Sequence, residues 1–351
     1  MSEAINNHLI LVEVNLKIPL FAVKPPYSWG ARLTYILPPP TTLLGALGKC
    51  IGNYLDFPGE ASICISNEDI RFRTLLQSLL ESTSFAAVTS YKGEVTPVIK
   101  SYQMHRVVQL EKGNHKHDAF EHEYVSTSGL CVSYIVNTYL VEMFTDSLAS
   151  KMQNNEVYLI EEIRETLCNP LRLERSVKLL DRLGYSECLG SVDIDEVHVT
   201  SNPSIWLKEE NSIVKFNTYT PIIMLSSLPR DIIIQNLKAS LWMVKWIIEN
   251  HPERYDKYLV NVEGKLKKSS NYVYTMKSPN EIFKAFSNTR GIELKMLLPL
   301  KHGEQNVRFG IPYQFTSIKC QLANSAYLIS GKYVLVILPR EFVEVSAYES
   351  T

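Results

Sequence analysis

Apolar and polar positions partly alternate along residues 8–20, HLILVEVNLKIPL, in which aliphatic residues predominate. Such alternation is typical of a β-strand, and a proline near the end of the run interrupts a strand because it has no amide hydrogen to donate. The pattern therefore predicts a first strand that ends at Pro19. The next stretch, residues 21–40, contains five prolines and predicts a loop or an extended arm.

A helical pattern follows this arm in residues 41–55, TTLLGALGKCIGNYL. Thr41 and Thr42 come directly after three prolines and predict the N-cap, because a threonine hydroxyl can accept a hydrogen bond from a free amide of the first turn. The helix contains three glycines spaced three and four residues apart, namely Gly45, Gly48 and Gly52. They cost about 2 to 3 kcal/mol of helix propensity relative to alanine, so we expect another backbone to approach this side of the helix closely.

Residues 70–136 are strand-like again and predict a long β-hairpin whose projecting tip is the polar run 111–123. A helical pattern at 157–183, broken or kinked at Pro170, leads through a glycine turn at 184–190 into a strand at 191–200. The glycine turn is either a helix C-cap before a tight connection or a contact for RNA. After about residue 201 the pattern predicts a second module. Its elements are an apolar strand near 221–225, a helix at 232–250, a basic stretch and short strands.

The composition is that of a soluble globular protein, with 351 residues, 45% hydrophobic residues, 21% charged residues and a net charge of -1. This length suggests about two domains. No apolar run reaches the roughly 18 residues of a membrane-spanning helix, and the N-terminus lacks the basic start and apolar run of a signal peptide. We therefore expect a cytoplasmic protein, in which the six scattered cysteines are reduced and mostly buried.

Charge is distributed unevenly along the chain. Residues 141–210 contain 14 acidic and 7 basic side chains, a net of -7, whereas residues 254–308 contain 11 basic and 5 acidic side chains, a net of +6. Each cluster could be a solvated helix face. The near-zero total argues against a protein that coats DNA, but it does not argue against a subunit that holds a short piece of RNA at one face and proteins at others.

Aromatic and basic side chains are interleaved in the proline-rich arm, at Lys24, Tyr27, Trp29, Arg32 and Tyr35. Single-stranded RNA is bound by stacking on aromatic faces and by Lys or Arg contacts to phosphate. The arm is therefore a candidate RNA-binding segment, although its aromatic residues could instead close the core while the basic ones are solvated. The start of the following helix is a candidate phosphate seat, because free amides at a helix N-terminus favour anions.

Two motifs carry a resemblance to a known family: PPPTTLLGALG at residues 38–48, and LGYS followed by LGSV between residues 183 and 192. With the order of elements around them, they resemble the Cas-five family of CRISPR-associated RAMP proteins. The first motif looks like the N-terminal signature of that family. The resemblance covers residues 8–60 well and residues 180–198 moderately, and it is greatest to archaeal type I-A members.

This resemblance implies an α+β fold. It consists of a ferredoxin-like (RRM-like) RAMP domain over residues 1–200, an inserted β-hairpin thumb at about 85–136, and a C-terminal α+β module over residues 201–351. The implied function is that of a non-catalytic RNA-binding subunit of a type I CRISPR interference complex, Cascade, which caps the five-prime handle of crRNA in antiviral defence. The implied partners are the crRNA handle, the RAMP backbone subunit and the large subunit, with target DNA contacted indirectly and no cofactor.

The implied RNA-binding residues come from the arm, the first helix, the hairpin and the glycine turn. They are Lys24, Tyr27, Trp29, Arg32, Tyr35, Thr41, Thr42, Gly45, Gly48, Lys49, His105, Arg106, Gly184, Tyr185 and Ser186.

Four of the eight histidines lie between His105 and His122, and they raise two further possibilities. One is a metal site near the hairpin tip, although His-x-His in a polar tip is more often solvated; its candidate ligands are His115, His117, Asp118 and His122. The other is metal-independent cleavage of precursor crRNA, in which a general base takes the ribose 2′-OH proton and a lysine stabilises the phosphorane. The candidates for these roles are Tyr102, His105 and Lys116. Signatures of nucleotide-binding loops, serine hydrolases and zinc proteases are absent from the sequence.

Overall fold

The structure is a computed structural model. It describes residues 8–23, 34, 38–65, 68–91, 98–111, 114–152, 157–184, 188–216, 318–322, 324–330 and 335–344, and in 98–111 and 114–121 it describes the backbone. The strands are β1 (Leu9–Lys17), β2 (Leu20–Phe21), β3 (Ser62–Ile65), β4 (Glu68–Arg71), β5 (Ser84–Tyr91), β6 (Val98–Glu111), β7 (Asn114–Ser126), β8 (Leu130–Asn137), β9 (Ser191–Ser201), β10 (Ile205–Lys208), β11 (Ile213–Phe216), β12 (Ile318–Gln321), β13 (Ala326–Ser330) and β14 (Leu335–Pro339). The helices are α1 (Pro40–Tyr54), α2 (Phe72–Thr83), α3 (Thr138–Ala149), α4 (Val157–Cys168), α5 (Pro170–Val177) and α6 (Arg340–Val343). This mixture of helices and antiparallel strands is the predicted α+β class.

A four-stranded antiparallel sheet in the order β5-β8-β1-β9 forms the centre of the molecule. α1 and α2 lie between β1 and β5 along the chain, and α3, α4 and α5 lie between β8 and β9. β5 and β8 are neighbours in the sheet, and the chain between them forms the β6–β7 hairpin. The order along the chain is therefore strand, helices, two paired strands, helices and strand, with β1 and β8 in the middle.

β1 is buried on both faces, which explains why so much of it is aliphatic. Val12, Val14 and Leu16 belong to a core that includes the leucines of α1 and α2. Leu9 and Leu11 point the other way and pack in a second cluster with residues of β5, β8, β13, β14 and α6. The first strand predicted from residues 8–20 is confirmed, as is the strand predicted at 191–200, which is β9.

Strands from the C-terminal part of the chain cover the second face of the central sheet. β13 pairs with both β10 and β14, and Ile329 and Leu338 of this small sheet are fully buried in the second cluster. Asn137 joins the two parts, because its Nδ2 donates to the carbonyl oxygen of Phe342 at 2.6 Å while its Oδ1 accepts from the amide of Leu140. Described segments on either side of residue 200 therefore share a hydrophobic core.

Two local predictions were wrong, and one helix was not predicted. α2 is a helix within residues 70–136, which were interpreted as strand-like, and α3 lies in a region for which no element was predicted. In α2 the apolar residues Leu75, Leu76, Leu79 and Leu80 recur at helical spacing and form one buried face. The predicted polar tip 111–123 is mostly β7, which pairs with β6 as far as Glu111 and Asn114, because backbone pairing satisfies the amides whatever the side chains are.

The interruption predicted at Pro170 is present. α4 ends at Cys168, and α5 begins at Pro170 with Asn169 as its N-cap, whose Oδ1 accepts from the amide of Leu171 at 3.0 Å. The strand predicted near 221–225, the helix at 232–250 and the basic stretch lie outside the described residues. Among the helices that the structure describes, none has the length and apolar character needed to cross a membrane.

Candidate nucleic-acid interface

α1 begins one residue earlier than the sequence pattern predicted. Pro39 is the N-cap and makes no side-chain capping bond, so the prediction of an N-cap at Thr41 and Thr42 is wrong. Proline is favoured in the first turn because it has no amide to leave unsatisfied, and the amides of Thr42 and Leu43 donate to the carbonyl oxygen of Pro39. Thr41 and Thr42 lie partly exposed in this first turn, which contains no acidic residue.

The glycines of α1 do not form one uniform surface. Gly48 is buried, and a Cβ added there would lie 3.4 Å from Leu80 Cδ1 and 3.7 Å from Leu76 Cβ, so its close neighbour is α2. A Cβ added at Gly45 would meet no heavy atom within 4 Å. A Cβ added at Gly52 would lie 3.4 Å from the backbone carbonyl oxygen of Phe57. The close approach of a backbone predicted for this helix is therefore present at Gly52, whereas Gly48 meets side chains of α2 and Gly45 has open space beside it.

The described residues on the two sides of the glycine turn, 181–184 and 188–190, pair with each other as the arms of a short hairpin, which is fixed to the start of the proline-rich arm. Two backbone hydrogen bonds join the two sides of this hairpin. The amide of Gly190 donates to the carbonyl oxygen of Asp181 at 2.8 Å, and the amide of Leu183 donates to the carbonyl oxygen of Cys188. Gly184 has a φ of 84° and forms a parallel bridge with Ala22. A Cβ at Gly184 would lie 2.1 Å from the carbonyl oxygen of Ala22, so the contact requires glycine.

Lys49 of α1 reaches this hairpin through an ion pair. Its Nζ lies 2.6 and 2.7 Å from the two carboxylate oxygens of Asp181, and Arg182 approaches the same carboxylate at 3.4 Å. Burial raises the pKa of Asp181, but hydrogen bonds from Lys49 and Arg182 and the charges of both residues outweigh it, so this pKa is lowered. The three side chains, here called the Asp181 cluster, place two cations around one carboxylate.

Val23 and Thr34 of the arm are held beside this hairpin and beside the base of the β6–β7 hairpin. The amide of Val23 donates to Thr34 Oγ1 at 3.0 Å, and the amide of Thr34 donates to Glu123 Oε2 of β7 at 3.1 Å. Next to Glu123 in sequence, His122 is fully buried and its Nδ1 lies 2.9 Å from the hydroxyl of Tyr124. Val23 and Thr34 therefore both lie at the place where the two hairpins come together, here called the junction of the two hairpins.

The structure brings together only part of the predicted residue set. Lys49 pairs with Asp181, three residues before Gly184 in the same hairpin, and Thr41, Thr42, Gly45 and Gly48 lie on the same helix as Lys49. His105 and Arg106 occupy positions in β6 opposite Ala119 and Asp118 of β7. Seven of the predicted RNA-binding residues lie outside the described residues: Lys24, Tyr27, Trp29, Arg32, Tyr35, Tyr185 and Ser186.

The candidates for RNA cleavage are spread along the β6–β7 hairpin. Tyr102 pairs with His122 and His105 with Ala119, whereas Lys116 pairs with Gln109, four positions further along β6. At about 3.3 Å per residue, His105 and the position of Lys116 are roughly 13 Å apart along the hairpin. Within the described part of the chain, no three His, Cys, Asp or Glu side chains are placed to hold a metal ion.

Sequence reasoning missed Asp181, Thr34 and Glu123, whose partners are distant along the chain, and Arg182, which pairs with the neighbouring Asp181. It also missed two contacts between β9 and β1, in which Asp193 lies 2.9 Å from Lys17 and Glu196 accepts a hydrogen bond from Asn15. Asn15 is itself buried and accepts a bond from the thiol of Cys131. The polar residues of β1 within an otherwise aliphatic strand were the available signal for these contacts.

The chain is similar to several solved structures. No family model and no curated protein matches the chain. A CRISPR protein from Archaeoglobus fulgidus is similar with a TM-score of 0.35 and 12% identity, over 93% of this chain and 98% of that one. A chain of the Type III-B Cmr-beta complex bound to cognate target RNA gives a TM-score of 0.29 and 11% identity, and the match spans 57% of this chain and 64% of that one, less than two thirds of its length. A chain of a CRISPR RNA-guided surveillance complex gives a TM-score of 0.26 and 12% identity, over 60% of this chain and 81% of that one.

Proposed function

We propose that this chain is a non-catalytic RNA-binding subunit of a type I CRISPR interference complex, in which it caps the five-prime handle of crRNA. The order of strands and helices around the β5-β8-β1-β9 sheet supports a ferredoxin-like RAMP domain, since that fold has two strand–helix–strand halves with this pairing. The PPPTTLLGALG motif at residues 38–48 supports the Cas-five family. In this proposal the β6–β7 hairpin is the thumb.

The observation that carries the proposal is the junction of the two hairpins. Gly184, at an end of the glycine turn, contacts Ala22 at the start of the arm, and Glu123 at the base of the thumb accepts a hydrogen bond from Thr34 further along the arm. The sequence between Val23 and Thr34 interleaves aromatic and basic residues, and Val23 and Thr34 are both held by contacts to the junction, where Lys49 and Arg182 supply cations. Stacking platforms next to cations are what a single strand of RNA requires.

The central sheet itself favours binding at this junction over binding on the open face typical of RRM-like domains. Leu9 and Leu11 of β1 are covered by β13, β14 and α6 on the face opposite the helices. RNA is therefore expected at the arm and the glycine turn, and the thumb is expected to contact the RAMP backbone subunit, with the large subunit nearby and target DNA contacted only indirectly. The separation of Lys116 from His105 along the hairpin supports binding over cleavage.

The test uses labelled RNA of the associated CRISPR repeat, incubated with the purified chain in EDTA. We expect retention of intact RNA, tighter than for a scrambled strand and weakening by roughly 0.7 log units per phosphate contact for each log unit of salt. Discrete cleavage that is lost in His105→Ala would favour the endoribonuclease. Equal affinity for the scrambled strand would contradict handle capping.

A pair of tryptophan variants locates the RNA on the chain. Trp29→Ala should weaken binding by about 1 to 3 kcal/mol, the contribution of one stacked base. Trp206→Ala is the matched control, because Trp206 lies on β10, half exposed and outside the junction. Equal losses in both variants would argue that the arm has no special role.

A further inference from the structure

The Asp181 cluster has an acidic centre at the place where the proposed function requires cations. Both carboxylate oxygens of Asp181 are within hydrogen-bond distance of Lys49 Nζ, and Arg182 Nε lies 3.4 Å from Asp181 Oδ1. The side chains of Lys49, Asp181 and Arg182 are 37%, 47% and 39% exposed, so all three can be reached from solvent. A polyanion at this surface would therefore meet cations that already share an anion.

The position of Asp181 is fixed by the backbone and by its neighbours in sequence. Leu180 and Leu183 are buried on either side of the Asp181–Arg182 pair. The carbonyl oxygen of Asp181 accepts a hydrogen bond from the amide of Gly190, and Arg182 forms an antiparallel β-bridge with Leu189 across the hairpin. None of these contacts uses the carboxylate. The side chain of Asp181 is therefore free to exchange its partners while the hairpin keeps its shape.

We propose that Asp181 competes with RNA phosphate for Lys49 and Arg182. Its carboxylate holds both side chains in place and is displaced from them when a strand binds at the junction. This inference rests on the proposed function and concerns the regulation of that site. A phosphate carries the same sign of charge as the carboxylate and offers the same kind of oxygen acceptors, so it can replace Asp181 at both cations. As long as the carboxylate of Asp181 stays bound, an anion that contacts only Lys49 or only Arg182 has to compete with it.

Exchange of this kind is feasible because the ion pair is exposed. Pairs between exposed charges are weak, since water screens them and ordering the side chains costs entropy. RNA that reaches both cations replaces the carboxylate at Lys49 and at Arg182 together. Asp181 is thus a specificity-determining residue that disfavours weakly held, non-specific strands.

The test measures binding of a fluorescein-labelled oligouridine across a range of salt concentrations, with an oligouridine longer than the roughly 4 to 16 nucleotides that single-strand sites occupy. Asp181→Asn should bind it about 5-fold more tightly than the unaltered chain, with a salt slope steeper by roughly 0.7 for each further phosphate that a freed cation neutralises. Lys49→Gln should bind it more weakly, and adding Asp181→Asn to Lys49→Gln should recover only part of the increase in affinity. Preference for repeat RNA over oligouridine should fall in Asp181→Asn.

The matched control is Asp146→Asn, which makes the same change of charge and frees Arg164, paired with Asp146 at 3.0 Å between α3 and α4. Neither helix contributes a residue to the Asp181 cluster. An equal increase in affinity in Asp146→Asn would mean that the tighter binding of Asp181→Asn comes from its net charge alone, and it would overturn the inference. Binding of repeat RNA by the unaltered chain, together with an affinity for oligouridine that Asp181→Asn does not raise, would overturn the inference alone. Absence of RNA binding in every variant would overturn the proposed function, and the inference with it.

Discussion

Gly184 is the residue on which the geometry of the glycine turn depends most. Its φ of 84° lies in the left-handed region, and its missing side chain allows the carbonyl oxygen of Ala22 to come within a distance that no Cβ tolerates. Both requirements act on the same residue, so the turn and the start of the arm are fixed together.

We expect Gly184→Ala to lower the free energy of unfolding by about 2 kcal/mol or more, because the substitution adds left-handed strain to a clash with backbone. The control is Gly59→Ala, where the added Cβ would lie at an ordinary 3.5 Å from Arg73 Cβ. Urea denaturation followed by circular dichroism measures both. Equal stability of the two variants would mean that the Ala22 contact is not required.

Cys50 illustrates how burial sets the reactivity of a side chain. Desolvation raises the pKa of its thiol to about 12, with the charge of Asp181 acting in the same direction and that of Lys49 against it. Desolvation also raises the pKa of Cys168 to about 12. At pH 8 only on the order of one in ten thousand of such thiols is ionised, and the thiolate is the reactive form.

Alkylation of the folded protein with iodoacetamide at pH 8, followed by peptide mass spectrometry, should therefore leave Cys50 and Cys168 unmodified. Cys64, which is half buried in β3, should react first among the five cysteines whose side chains the structure describes. In urea all of them should react at similar rates. Rapid modification of Cys50 in the folded state would show that α1 opens more readily than its packing implies.

At the scale of elements, the packing of α1 on α2 explains the glycine at position 48. The two helices approach each other with Leu76 and Leu80 directly over Gly48. A larger side chain at position 48 must push α2 away or adopt an unfavourable rotamer, because a packed interior has little spare volume.

Gly48→Leu should consequently destabilise the protein by about 1 to 3 kcal/mol. Gly45→Leu, on the same helix with no heavy atom within 4 Å of the added Cβ, should instead raise the stability by up to about 1 kcal/mol through helix propensity. Thermal melts of the two variants distinguish these outcomes. A stable Gly48→Leu protein that has lost RNA binding would indicate that this glycine faces RNA after all.

Elements whose pattern is local could be predicted from the sequence, and those that depend on distant partners could not. β1 and α1 follow from alternation and from a proline-rich start, and the interruption at Pro170 follows from the covalent structure of proline. α2 was missed because short, buried helices and strands have similar apolar runs. The Asp181 cluster was missed because its lysine and carboxylate are 132 positions apart, and no local pattern relates them.

At the scale of the whole molecule, the described strands after residue 200 complete a core that begins with residue 9. β13, β14 and α6 cover Leu9 and Leu11 of β1, and Glu344 is buried with its carboxylate bonded to Tyr327 and Arg340. Without this cover, the aliphatic residues on that face of the sheet would be exposed to water. The C-terminal part therefore stabilises the domain that carries the proposed RNA site.

The corresponding prediction concerns cooperativity. Leu338 is fully buried in the cluster between β14 and the central sheet, so Leu338→Ala should lower the free energy of unfolding by about 2 to 5 kcal/mol, from lost burial and from the cavity left behind. Ile213→Ala is the control, because Ile213 is 74% exposed and its truncation removes little buried surface. If the two parts share one core as the packing indicates, Leu338→Ala will shift a single transition that circular dichroism and hydrogen exchange of β1 report together. Exchange of β1 that is unaffected while β13 and β14 become labile would show instead that the parts unfold separately, and that the cluster is an interface between two independent domains.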